Sequence, residues 1–418
     1  MSYHEFNFTW NIKSKNNFTA KVLSWISQFS TFVYLDNNEY KDPYGKYELL
    51  IAIDVHEIIK DFNHFKHNSW TFIQIPFPSK QEHSISNYFI FRPKIVIAIP
   101  KNSNEGKIYS IDKTGEKILN EIYQQNCSYF QETEKFTSSF LKSKDKGNWT
   151  TSYNEYKQKV LTIQNSIKNK ECKEVNLCVE YKWNTDLKNK EVLFYNLNQS
   201  NPCPFATFMR KDNTYIFSTS PERFFTIDYP YIHSQPIKGT IKRGKNAQED
   251  VIKMQKLKND PKELNENHII ANMVINEFQT LDCCSSVTLI EDAVLYSFPK
   301  LHHLISTIRG EYNTYKEIET LAFNAFAALF PMGSMTGTPK NHVLNIIHDI
   351  EDSERGYYSG TIGYIDPDNK IDSNVIIRTL IYDDERKLAS FHVGGAITLE
   401  TNAKREWKEI ILKSEFLK

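Results

Sequence analysis

Three runs in the first hundred residues set β-branched and aromatic side chains almost back to back: YELLIAIDV from Tyr47, WTFIQIPF from Trp70 and YFIFRPKIVIAIP from Tyr88. Polar connections rich in Asn, Lys and Ser separate them, so each run reads as a strand. The segment KSKDKGNWTTS, 142–152, reads as a surface connection, and the following YNEYKQKVLTIQNSIKNKEC spaces its apolar residues as one face of a helix. After residue 174 come the short strands VNLCVEY, PFATFMR, TYIFSTS, RFFTID and YIHSQPIKG, with KDNT and DYPY as turns, a pattern of antiparallel hairpins. A helical stretch over 250–281 contains Pro261, which is placed to begin a new helix within it. Helices near 315–329 and 341–350, strands over 360–365 and 373–382, the strand FHVGGAIT and the helix NAKREWKEIILK complete the pattern. The whole is an α+β chain with large antiparallel sheets.

Composition narrows the partners. Lys plus Arg and Asp plus Glu both total 51 among 418 residues, so no bulk field draws nucleic acid or an anionic membrane, and an anionic ligand has to be recognised locally. The start, MSYHEFNFTWNIKSKNN, shows no apolar leader core, and no run of eighteen apolar residues occurs; the expectation is a soluble, cytoplasmic protein with no membrane partner. The six Cys lack CxxC spacing and a His-Cys cluster, which excludes a tetrahedral zinc site and leaves them as small buried hydrophobes. No solenoid repeat is present.

Several spacings carry chemistry. Glu263 and Glu266, and again Glu406 and Glu409, stand three apart in helical segments and so share a face. Two such helices facing one another would offer oxygen ligands to a hard cation such as Mg²⁺; two solvated helix faces fit the same spacing. In a strand, His302 and His303 point to opposite sides, so one of them is incidental to any site. Arg378, within the apolar NVIIRTLIY, points inward, where its guanidinium needs an internal carboxylate or an anionic ligand. RGYYSGTIGY and VGGAIT place Gly where backbone amides can approach a ligand, and equally suit tight turns. Lys238, in PIKGTIKRG, is either a strand-end charge reaching water or an amine in a pocket.

Eight blocks in order, STSPERFF, PIKGTIKRG, DPKELNEN, HHLIST, FPMGSMTGTPK, ERGYYSGTIGY, VIIRT and VGGAIT with the last ExxE, resemble the chorismate-utilising enzymes, the family of anthranilate, aminodeoxychorismate, isochorismate and salicylate synthases. They span roughly residues 201–413. The resemblance implies two large antiparallel-rich sheets packed with flanking helices, as in anthranilate synthase component I, with the active site in the cleft between them. It implies a catalytic region over 160–418, with 1–150 a divergent N-terminal portion of the same folded unit. It further implies that Glu266 and Glu409 hold Mg²⁺, supported by Glu263 and Glu406, and that the metal holds the ring carboxylate of chorismate with Lys413 nearby. Tyr358, Arg378 and the amides around Gly395 and Ala396 match the clamp on the enolpyruvyl carboxylate. His303 matches the family's active-site His and Glu222 its acid; Thr240, Ser334 and Thr336 fall in substrate-binding blocks. ANMVINE at 271–277, GTIKRG and Ala396 depart from the usual family patterns.

Lys238 distinguishes reactions within the resemblance. Anthranilate- and isochorismate-forming members resemble PIAGT at this point, aminodeoxychorismate-forming members PIKGT. The latter implies a transferase in which the Lys238 amine adds to C2 as the C4 hydroxyl leaves, before ammonia attacks C4 and displaces the enzyme, giving 4-amino-4-deoxychorismate for p-aminobenzoate and folate. The attacking amine has to be neutral, so its pKa is expected to fall from about 10.4 through burial or nearby positive charge, with Arg243, Lys242 and Mg²⁺ as sources. Glu222, protonated in a low-dielectric pocket, would protonate the leaving hydroxyl. No Cys sits in a nucleophile-elbow context, so ammonia is expected from glutamine through a separate glutamine amidotransferase subunit. No LLES-like stretch of the kind that binds tryptophan is found. Anthranilate synthase component I is the alternative activity, and a non-catalytic chorismate- or partner-binding subunit the alternative of another class.

Overall fold

A computed structural model of the chain describes residues 3–11, 15–61, 68–80, 85, 87–132, 142–143, 146–314 and 316–417. The apolar runs of the N-terminal part form the strands Tyr47–Ile58, Thr71–Ile75 and Phe89–Pro100. Their near-continuous hydrophobicity has a structural cause, because both faces are covered. Leu49, Ile51 and Ile53 enter one core while Leu50 and Ala52 enter another, as the two-residue period of a strand requires.

Hydrogen bonds join the strands into one antiparallel network with two arms. One arm runs from Glu174–Asn184 through Leu388–Ile397, Thr379–Asp383, Thr214–Ser220, Phe205–Lys211 and Thr31–Asp36 to Tyr47–Ile58. The other runs from Thr71–Ile75 through Thr361–Ile365, Ile371–Asn374, Arg223–Asp228 and Tyr231–Gln235 to Leu301–Tyr312, which also pairs with Ile237–Lys242 and Cys284–Ser297. Phe89–Pro100 pairs with both Tyr47–Ile58 and Thr71–Ile75 and joins the arms. These arms are the two expected sheets. Between them lies a core of Val33, Trp70, Phe72, Met209, Ile216 and Tyr364, among others. The helices Lys15–Ile26, Tyr153–Lys168 and Lys190–Ser200 cover the outside of the first arm, and Pro261–Gln279 and Ile318–Leu329 that of the second.

Two of the chain's crossings between arms are short and adjacent, between Ser220 and Arg223 and between Asn374 and Thr379. Val375 N donates to Glu222 O at 3.0 Å and ties the crossings together, while the register slips at Arg223 in both of its pairings. Such slips let a strand turn the corner between packed sheets. The run expected as one strand over 373–382 is therefore two, and Arg378 stands in the crossing with a left-handed φ of 49°. Arg223 is buried there, bound to Asp42 and to Asp372 at 2.6–3.0 Å.

Of the 142–152 connection, Asn148–Trp149 forms a short strand on Glu174–Asn184, and residues 144–145 lie outside the described residues. Cys172, Cys178 and Cys203 are buried as expected; Cys127, Cys283 and Cys284 are partly exposed. Among the described residues no helix is long and apolar enough to cross a membrane.

Candidate active site

Lys238 owes its direction to a bulge. The pairing of Ile237–Lys242 with Leu301–Tyr312 slips between Ile237 and Thr240, and Gly239 takes a φ of 95° that a side chain would strain. Asn267 fixes the bulge from outside the sheet: its Nδ2 donates to Lys238 O at 3.0 Å and to Leu304 O at 3.1 Å. That residue lies on the helix Pro261–Gln279, which begins where expected, with Pro261 in its first turn and Asp260 accepting from the Lys262 and Glu263 amides. The helix carrying the first carboxylate pair thus also pins the lysine.

The bulge opens into a cavity of about 130 Å³, roughly ten times the room one water needs. Lys238, Glu222, His303, Tyr358, Arg378, Ser334, Thr240, Gly395, Ala396, Lys413 and all four glutamates of the ExxE pairs line it. Thr336 does not. It is fully buried, and its hydroxyl donates to Met332 O at 3.0 Å, so it shapes the turn that presents Ser334.

Glu222 stands at the sheet crossing, 4% exposed, accepting from Ser334 Oγ at 2.9 Å. Burial pushes its carboxyl up to about 7, against smaller downward effects of the Ser334 bond and of Lys238 and Arg378; it can therefore hold a proton near neutrality. His303 is neutral. Burial, and then the Arg378 charge, hold its pKa well below the ordinary value; Arg378 Nη2 donates to Nε2 at 2.8 Å, which leaves Nδ1–H to donate to Thr240 Oγ1 at 2.9 Å. His302 lies on the opposite face, bound to Ser297 and Asp250, and is the structural one of the pair.

No carboxylate forms an ion pair with Arg378 among the described residues, although the residue is buried deeply enough to lower its pKa. Of the two partners the sequence left open, an anionic ligand is thereby favoured. Tyr358, buried and stacked on His392 at 5.4 Å, completes this wall. Beneath it Arg355 binds Glu351, Met335 O and Asn176 O, which fixes the RGYYSG turn.

Opposite, the two carboxylate pairs converge. Lys262 Nζ lies 3.0 Å from Glu266 Oε1, 3.8 Å from Glu406 Oε1 and 3.9 Å from Glu263 Oε1. Lys413 Nζ meets Glu409 Oε1 at 2.9 Å and donates to Gly394 O at 3.0 Å. Burial and then the Glu409 charge push Glu406 up to about 7; burial raises Glu263 too, whereas Lys413 lowers Glu409. The Gly-rich strand approaches so closely that a Cβ on Gly395 would stand 3.0 Å from Glu406 Oε2. An all-oxygen donor set with excess negative charge suits a hard divalent cation. No three ligating side chains sit at metal-ligating spacing among the described residues, so such an ion would take one or two carboxylates and fill its shell with water and a ligand's oxygens.

The protonation of Lys238 differs from expectation. Burial alone would lower its pKa, but the charges of Glu174, then Glu266 and Glu406, outweigh it and leave the pKa raised. Its Nζ lies 3.3 Å from Glu174 Oε1, and Glu174 Oε2, also buried, has no hydrogen-bond partner among the described residues. Of the expected sources of positive charge, the two side chains do not act here, because Arg243 forms a bidentate pair with Asp250 and Lys242 faces Glu415. Glu174, Lys262 and Asn267 all escaped the sequence reading. Only Lys262 carried a local signal, as a cation beside an ExxE.

The chain belongs to the chorismate binding enzyme family, whose model matches residues 64–418. It is 33% identical over 255 residues to aminodeoxychorismate synthase component 1 of Klebsiella aerogenes, covering 61% of this chain and 55% of that protein. Anthranilate synthase component 1 of Saccharolobus solfataricus is 29% identical over 230 residues, covering 54% and 52%. The matched part spans about half the length of these curated relatives. In fold the chain is similar to the menaquinone-specific isochorismate synthase of Escherichia coli, with a TM-score of 0.75 at 14% identity over 99% of this chain and 94% of that one. Anthranilate synthase component I of Streptococcus pneumoniae gives a TM-score of 0.64 at 16% identity over 100% and 92%.

Proposed function

We propose that this enzyme aminates chorismate at C4 to 4-amino-4-deoxychorismate in the cytoplasm, with ammonia supplied by a separate glutamine amidotransferase subunit. The observation that carries this reading is Lys238, an amine bulged into the family's cavity between a protonatable Glu222 and a carboxylate wall. Arg378 and Tyr358 would hold the enolpyruvyl carboxylate, and the Gly395–Ala396 backbone would close over it. Mg²⁺ held by Glu266 and Glu409, with Glu263 and Glu406 in support, would supply positive charge for the ring carboxylate.

With the ring so fixed, C2 faces Lys238 and the C4 oxygen faces Glu222. Lys238 gives its proton to Glu174, the nearest carboxylate, and forms the bond to C2; both conjugated ring double bonds shift by one position, and the C4 hydroxyl leaves as water with the proton of Glu222. Ammonia then attacks C4, both double bonds shift back as the C2–N bond breaks, and Lys238 is released as an amine. His303, neutral between Arg378 and Thr240, keeps the guanidinium aimed at the substrate carboxylate.

Incubation with chorismate, Mg²⁺ and ammonium salt, followed by mass spectrometry, tests the reading. 4-Amino-4-deoxychorismate is expected; anthranilate with pyruvate, isochorismate, or no turnover overturns it. Lys238→Ala should abolish amination while chorismate still binds, and near-normal turnover by that variant removes the covalent step.

A further inference from the structure

A second cavity, of about 700 Å³, adjoins the first, and Thr240, Arg378, Glu409, Lys413 and Phe416 line both. Its outer walls are the end of the Ile237–Lys242 strand, the 298–301 turn and the helix Ala403–Lys413. Eight Lys and Arg side chains line it against two carboxylates, Glu409 and Glu415, in a chain whose charges balance at 51 each. Neutralisation within it is incomplete. Arg243 is matched by Asp250, and Lys242 lies a loose 3.7 Å from Glu415, but Lys245 and Lys408 form no ion pair among the described residues. Burial and the charge of Lys242 depress the Lys300 amine, with Glu415 offsetting only part. Phe298, Leu301 and Leu412 give the space an apolar floor.

We propose that this cavity is the vestibule through which the substrate reaches the site: it collects a small organic dicarboxylate and passes it over the shared wall to Arg378 and Lys413. The inference rests on reading the site as one for chorismate, a dianion. A concave, low-dielectric surface lined by one sign of charge focuses its field and concentrates the opposite ion. With no net charge on the chain, this local excess is the field a dianion senses at close range.

The test neutralises lysines that touch only the vestibule. The triple variant Lys242→Gln, Lys245→Gln, Lys408→Gln of the full chain is assayed with chorismate, Mg²⁺ and ammonium while sodium chloride is varied. Its kcat should equal that of wild type, while KM at low ionic strength rises about tenfold and the dependence of log kcat/KM on salt becomes shallower. A control with the same charge change elsewhere, Lys117→Gln, Lys157→Gln, Lys168→Gln, should leave KM and the salt slope unaltered. A vestibule variant with wild-type KM and salt slope overturns the inference, as does a control that shifts both equally. A wild-type chain that neither binds nor converts chorismate overturns the functional reading instead, and the vestibule with it.

Discussion

Replacing Glu222 by Gln separates the cost of a buried acid from its chemistry. The Glu222 carboxyl titrates at about 7, chiefly because of burial, against an ordinary value of 4.5. A raised pKa means that the folded state holds the proton more tightly than the unfolded chain, so the stability it contributes is complete below pH 4.5 and is lost as the pH rises through 7. About 2.5 pH decades at 1.36 kcal/mol each amount to about 3 kcal/mol. Gln keeps the oxygen that accepts from Ser334 Oγ and has no proton to lose. The variant should therefore nearly match wild type at pH 5 and exceed it by about 3 kcal/mol at pH 8. With about 2.1 cal/mol/K of unfolding entropy per residue over 418 residues, the gain corresponds to about 3–4 °C in Tm. Glu406, which also titrates at about 7, is present in both proteins and cancels. Thermal unfolding followed between pH 5 and 8 reads the difference directly, while turnover of chorismate should fall about 10²–10⁴-fold. A Tm difference independent of pH, or one in which wild type gains as the pH rises, refutes a proton buried on Glu222.

Asn267→Ala leaves Lys238 O and Leu304 O without their shared donor, which should cost about 1–3 kcal/mol. Because the bulge then loosens, kcat should fall more than KM rises, and a lowered Tm with unchanged kcat would mark Asn267 as merely structural. Arg223→Met strands the buried carboxylates of Asp42 and Asp372 and should destabilise by about 3–5 kcal/mol; adding Asp42→Asn and Asp372→Asn should restore part of the loss in thermal unfolding, and no recovery would show that packing rather than charge set the effect.

Local rules carried the reading of the sequence furthest where the cause of structure is local. Asp260 and Pro261 announce a helix start by capping and by a fixed φ, and the helix begins there. The ExxE spacing does place each carboxylate pair on one face, and both pairs reach the cavity. Arg378 was misplaced because its β-branched neighbours look like an unbroken strand; the break is imposed by the neighbouring crossing at Glu222, 156 positions earlier in the chain. The raised pKa of Lys238 was missed for a similar reason, since Glu174, Glu266 and Glu406 reach it only through the fold. Asn267 acts on backbone oxygens, and no spacing in a single sequence marks such a contact. Nor did the N-terminal strands betray that Asp42 would neutralise the arginine next to Glu222.

The strand Phe89–Pro100 works as a ruler for chemistry it never touches. Its first residues pair with Thr71–Ile75 and its remainder with Tyr47–Ile58, so the offset between the two walls of the cavity is counted out in peptide groups far from it. Peptide groups are indifferent to which strand-forming residue occupies a rung but not to how many rungs there are. Exchanges among Ile, Val and Phe along this strand should pass unnoticed at Lys238, whereas deleting a single residue would swap, beyond the deletion, the side chains bound for one core with those bound for the other and slide one wall past the other. This strand thus constrains the site through its length rather than through its letters.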